Sequence, residues 1–137
     1  MSSPGQSQIS DINGKQTAKV TILQLNMNKI IAIDFDGTIV LDKFPDIGDE
    51  RPYAVNTIKL LKNRGYKVIL WTCRTGEHFD AARKWLDERG LVFDAYNEHL
   101  PNEFEENGRK IHADAYIDDR SFPPFRGDWL EVMRNFK

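Results

Sequence analysis

The chain has 137 residues, 40% hydrophobic and 29% charged, which is the size of one compact domain able to bury roughly 70% of its unfolded surface around one core. Nineteen Lys and Arg against twenty-one Asp and Glu leave a net charge of -2, so no field of either sign favours nucleic acid or an anionic membrane, although a local basic patch is compatible with it. The longest apolar runs, such as Ile30-Ile31-Ala32-Ile33 and Val68-Ile69-Leu70-Trp71, are far shorter than the roughly 18 residues of a membrane helix, and the single Cys73 excludes an internal disulfide and a Cys-rich metal site.

Residues 1–26 are dominated by Ser, Gln, Gly and Asn and read as a polar tail, because they bring too little apolar surface to offset the entropy of ordering. Within them, Val20-Thr21-Ile22-Leu23-Gln24-Leu25 could add an edge strand. No cationic start leads into a greasy segment, so the expected location is the cytoplasm. Residues 27–137 are expected to form the domain proper. Lys29-Ile30-Ile31-Ala32-Ile33-Asp34 reads as a buried central strand ending abruptly in acid. A loop with Pro45 and Gly48 follows, and then Ala54, Val55, Ile58 and Leu61 recur at helical spacing until Gly65. Lys67-Val68-Ile69-Leu70-Trp71-Thr72 is a second strand. A second helix is expected from about His78 to Gly90, then short apolar pieces at Leu91-Val92-Phe93 and Ala115-Tyr116-Ile117, and a last amphipathic segment from Trp129 to Phe136.

Strand alternating with helix is the pattern of an α/β fold, here a three-layer α/β/α, Rossmann-like arrangement around a mainly parallel sheet. Three strands end in Asp34, Thr72 and Asp118-Asp119. Ligand sites of open parallel sheets lie beyond those carboxyl edges, so residues distant in sequence are expected to share one crevice.

Asp34-Phe35-Asp36-Gly37-Thr38 sets two carboxylates two positions apart directly after a buried strand. Taken alone it is equally a turn in which Asp caps backbone amides. A calcium loop would need oxygen ligands at later spacings and a closing glutamate, which are missing. With Thr72, Lys110 and Asp118-Asp119 in order behind it, the set resembles the haloacid dehalogenase-like (HAD) hydrolase superfamily, whose members are mostly Mg²⁺-dependent phosphohydrolases. The closing Gly127-Asp128-Trp129, after Pro123 and Pro124, is similar to small bacterial and phage members.

The resemblance implies a phosphomonoesterase with Asp34 as nucleophile and Asp36 as general acid and base. It further implies Thr72 and Lys110 as phosphate holders, with Arg109 as the neighbouring alternative to Lys110, and Asp118 with Asp119 as metal acids. The chemistry is coherent: a phosphate dianion repels a carboxylate, so a nucleophilic Asp34 needs Mg²⁺. Such an ion would take oxygen from Asp34, the Asp36 backbone and the Asp118-Asp119 pair. Arg74, just beyond Thr72, is a candidate contact for a second anionic group, while Arg120 is expected to pair with one of the metal acids. Cys73 has no evident base, and His78, His99 and His112 lack metal-ligand spacing.

The intervals from Asp34 to Thr72 and from Thr72 to Lys110 are too short for a folded cap, so the resemblance implies a capless member whose site is open unless the Lys43 to Glu50 loop, a partner subunit or a large substrate covers it. A phosphorylated small molecule or polymer end would fit such a site, and an oligomer is compatible with it. Two alternatives share these motifs. One is a nucleic-acid 3′-phosphatase, suggested by the similarity of Tyr116-Ile117-Asp118-Asp119-Arg120 to phage end-healing enzymes and opposed by the lack of a basic stripe. The other is a non-catalytic phosphate- or Mg²⁺-binding module of the same fold.

Overall fold

The computed structural model describes residues 29–101 and 108–137; the polar tail and the edge strand expected within residues 1–26 lie outside them. The described elements in chain order are β1 (Ile30–Ile33), β2 (Val40–Lys43), β3 (Asp46–Glu50), α1 (Ala54–Asn63), β4 (Lys67–Leu70), α2 (Gly76–Glu88), β5 (Ala95–Tyr96), β6 (Ala115–Ile117) and α3 (Trp129–Asn135). Four strands form a sheet in the order β5-β4-β1-β6, with every pairing parallel. The α/β, Rossmann-like expectation therefore holds.

The layering follows from the handedness of parallel crossovers. From β1 to β4 to β5 the chain steps one way across the sheet, so α1 and α2 fall on the same face. Ile31 and Ile33 of β1, with Val68 and Leu70 of β4, meet Val55, Ile58 and Leu61 of α1 there, together with Ala82 and Leu86 of α2. Passing from β5 back beyond β1 to β6 takes the chain across the opposite face. That face carries a smaller cluster of Ile30, Ala32, Ile69, Ala95 and Ile111, flanked by Leu100 and Ala113. Among the described residues the covering there is irregular chain rather than helix.

After β6 the chain returns to the helical face. Asp128 caps α3 by accepting a bond from the Glu131 N–H at 3.1 Å. This seats Trp129 and Val132 in the main core.

The sequence-based elements differ from the fold in two places. The stretch with Pro45 and Gly48, read as a loop, is an antiparallel hairpin of β2 and β3. Gly48 is needed there because a Cβ would lie 2.2 Å from the Leu41 carbonyl oxygen across the ladder. Leu91-Val92-Phe93 is irregular chain, with Leu91 and Phe93 buried and Val92 exposed, and the paired strand comes two residues later at β5. No helix among the described residues is long and apolar enough to cross a membrane.

Trp129 is 1% exposed, and its indole N–H donates to the Thr38 carbonyl at 2.9 Å, across 91 residues of sequence. Trp129→Ala should lower unfolding free energy by about 3–5 kcal/mol; urea denaturation of the two proteins measures the difference.

Candidate active site

Register brings the site together. Ile33 pairs with Leu70 on one side and with Ile117 on the other, so the three strands end at the same level and release Asp34, Trp71-Thr72 and Asp118 side by side. The ladder continues one step further, with the Trp71 N–H donating to the Ile33 carbonyl at 2.8 Å and the Asp34 N–H to the Ile117 carbonyl at 3.0 Å. β1 lies where the strand order reverses, the switch point at which parallel sheets open a crevice. A cavity of about 490 Å³ lies there, lined among others by Asp34, Asp36, Thr72, Arg74, Asp118 and Asp119.

One carboxylate oxygen from each of Asp34, Asp118 and Asp119 lies within 4.8 Å of the other two, so these residues could hold a cation. Burial pushes the Asp34 carboxyl up to about 8 from its ordinary 3.8, with the Asp118 charge next in effect and a carboxyl–carboxyl hydrogen bond to Asp119 adding to it. The Thr38 hydroxyl opposes the shift by donating to Asp34 Oδ2 at 3.1 Å. The same Oγ1 accepts the Asp119 N–H at 3.1 Å, so one buried hydroxyl ties two of the acids together. Gly37 is required beneath them. It has φ of 85°, and a Cβ would stand 2.2 Å from Asp119 Oδ2.

Asp36 has a separate environment. Both of its carboxylate oxygens accept from Arg74, Nε to Oδ2 at 2.7 Å and Nη2 to Oδ1 at 2.8 Å. The expectation that Arg74 meets a second anionic group of a ligand is corrected here. The residue is 2% exposed, and its remaining guanidinium donors reach the carbonyls of Pro45, Asp46 and His78. All of its hydrogen-bonding directions are engaged inside the protein.

Thr72 lines the cavity, but its backbone is occupied. Its N–H donates to Asn97 Oδ1 at 2.8 Å, and Asn97 Nδ2 donates to its carbonyl at 2.9 Å. The Thr72 hydroxyl oxygen accepts the Arg74 N–H at 3.1 Å.

Lys110 is not brought to this cavity. It is exposed, its ammonium lies 5.4 Å from the centroid of the Tyr116 ring, and it lines a separate depression with Arg109 and His112. Arg120 approaches Asp42 at 3.9 Å instead of a metal acid, while its backbone N–H donates to Asp118 Oδ1 at 2.8 Å.

Sequence reasoning missed Asp42 and Phe44, which reach the cavity from the unpredicted hairpin. It also missed the roles of Thr38 and Asn97. Thr38 carried a usable signal, since it closes the motif that begins at Asp34. Asn97 carried none.

No family model matches the chain. A solved structure of a conserved protein from Bacteroides thetaiotaomicron is 45% identical, with a TM-score of 0.72, over 77% of this chain and 86% of that one. The chain belongs to the same family as that protein. A Bacillus cereus protein named "Putative nucleotidase" is 40% identical over 40 residues, 29% of this chain and 21% of its own length. The match thus spans about a fifth of that relative.

The raised Asp34 carboxyl has a consequence for stability. Between about pH 4 and pH 8 the folded protein holds a proton at Asp34 that the unfolded chain releases, so without a bound cation this group lowers stability as pH rises through that window. Asp34→Asn removes the conflict. The metal-free variant should melt above the wild type at pH 8, by about 4 °C for each kcal/mol relieved, and close to it at pH 4. Thermal melts in chelator at both pH values check the sign.

Proposed function

We propose that the chain is a Mg²⁺-dependent phosphomonoesterase of the haloacid dehalogenase-like type, working through an aspartyl-phosphate on Asp34. The observation that carries the reading is the half-buried Asp34 carboxyl group at a parallel-sheet switch point, grouped with Asp118 and Asp119 and lining the cavity. The resemblance of the ordered motifs and the short match to the nucleotidase-named protein support a phosphate ester as the substrate class. Among the described residues, the interval from Asp34 to Thr72 holds the β2–β3 hairpin, α1 and β4, and that from Thr72 to Lys110 holds α2 and β5, which supports a capless reading.

The donor set fits Mg²⁺: three carboxylates with hard oxygen atoms, crowded enough that Asp34 holds a proton far above its ordinary range. Asp34, Asp118 and Asp119 would hold the ion through their side chains. Asp36 would contribute its backbone carbonyl, its own carboxylate being turned to Arg74. Bound there, the ion supplies positive charge that offsets repulsion between carboxylate and phosphate.

The chain's own groups then divide the chemistry. Asp34, having given its proton to solvent, attacks phosphorus through one oxygen, the bond from phosphorus to the ester oxygen breaks, and that oxygen takes the proton that Asp36 carries on a lone pair its Arg74 fork leaves free. In the second half, water gives a proton to Asp36 as its oxygen attacks phosphorus. The bond to Asp34 breaks, and inorganic phosphate leaves. The Thr72 hydroxyl, at the neighbouring strand end, is the donor suited to a phosphoryl oxygen. Nucleotides are the first substrates to test within this class, alongside sugar phosphates and 3′-phosphorylated oligonucleotides.

With Mg²⁺, the protein should hydrolyse p-nitrophenyl phosphate, lose that turnover in chelator and regain it when Mg²⁺ is restored. Asp34→Asn should lower kcat by about 10³-fold or more. Turnover that survives this substitution at the wild-type rate overturns the assignment.

A further inference from the structure

We infer that Arg74 is a positioning residue: it fixes the orientation of the Asp36 carboxyl and thereby controls proton delivery to the leaving group. The inference rests on the phosphomonoesterase reading above. It assigns Arg74 no contact with substrate.

Arg74 is the one arginine among the described residues that is buried, at 2% exposure. A guanidinium in such a place needs every N–H satisfied and its charge balanced. The Asp36 fork supplies the charge balance along two bonds, and three carbonyls take the remaining donors. Pro45 and Asp46 lie at the turn of the β2–β3 hairpin, and His78 lies in the first turn of α2. Two rings complete the enclosure, Phe35 at 5.4 Å and Phe44 at 5.0 Å from the guanidinium carbon.

The arginine therefore cannot shift without releasing the hairpin and the start of α2. Asp36 inherits that rigidity, because a two-point fork fixes both the position and the plane of a carboxyl group. An ammonium at the same position would offer a point charge and no plane.

The consequence depends on the leaving group. A p-nitrophenolate departs without needing a proton, whereas an alkoxide needs one in the transition state. Loss of a well-aimed acid therefore slows alkyl esters much more than aryl esters. A residue that merely supports the fold would lower both together.

The experiment compares kcat and KM for p-nitrophenyl phosphate and glycerol 2-phosphate, with Mg²⁺, in wild type, Asp36→Asn, Arg74→Lys and the double variant. Thermal melts identify which proteins are folded at the assay temperature. Asp36→Asn should lose about 10²–10⁴-fold in kcat on the alkyl ester and less than about tenfold on the aryl ester. Arg74→Lys should reproduce that selective loss, and adding it to Asp36→Asn should remove little more, as expected of two residues acting as a unit.

Equal losses on both esters, or a raised KM with unchanged kcat, would overturn the inference, the second by indicating direct contact with substrate. Wild-type kinetics in Arg74→Lys would also overturn it. If Arg74→Lys does not fold, Arg74→Gln, which keeps two donors without the charge, carries the same comparison. A wild type that hydrolyses neither ester defeats the phosphomonoesterase reading itself. A wild type that hydrolyses both, with an unselective Arg74 variant, defeats only the role given to Arg74.

Discussion

Three carboxyl groups are held close enough that Asp34 keeps a proton far above its ordinary range, and much of the local architecture holds them there. Asp34, Asp118 and Asp119 lie just past the ends of β1 and β6, in the first residues of the loops that follow. Their positions are set by strand register, with Ile33 level with both Leu70 and Ile117. Separating the acids would mean breaking parallel pairing in a strand that is buried on both faces. The burial of Ile30, Ile31, Ala32 and Ile33 thus offsets the electrostatic conflict at their carboxyl end.

Directional groups then set how close the acids come. Thr38 bonds Asp34 on one side and the backbone of Asp119 on the other, while its own carbonyl is held by the Trp129 indole. A core residue near the end of the chain therefore orients a hydroxyl at the first acid. Gly37 has to be small because Asp119 occupies the space a side chain would fill. These contacts set the geometry of the cluster from within the protein itself.

The strands and helices that build this frame were legible because burial writes itself into composition. β1, β4 and β6 are short apolar runs, and α1 carries its apolar residues at helical spacing. The β2–β3 hairpin was not legible. Of its nine residues only Val40 and Gly48 are buried, so neither alternation nor an apolar run marks it. The acids at the strand tips were legible for the opposite reason, a charge standing at the end of a buried run. Arg74 and Lys110 show where such reading stops. A sequence reveals a cation but not its partner. Arg74 proves to be spent on Asp36, and Lys110 follows the chain onto the other face, beside Tyr116.

The two walls of the cavity consequently differ in stiffness. On one side the Arg74–Asp36 fork is doubly bonded, with its guanidinium buried and flanked by two aromatic rings. Breaking it would strand a charge away from water, which is costly. On the other side Arg120 meets Asp42 at 3.9 Å with its side chain 82% exposed. A surface pair of that kind contributes between nothing and about 1 kcal/mol and exchanges readily with solvent. The hairpin bridges both walls, anchored to Arg74 through the carbonyls of Pro45 and Asp46 while Asp42 leans toward Arg120. Its turn is therefore fixed at Arg74, and the compliance of the site is concentrated at the Asp42–Arg120 side, where adjustment to a ligand would disturb the acids least.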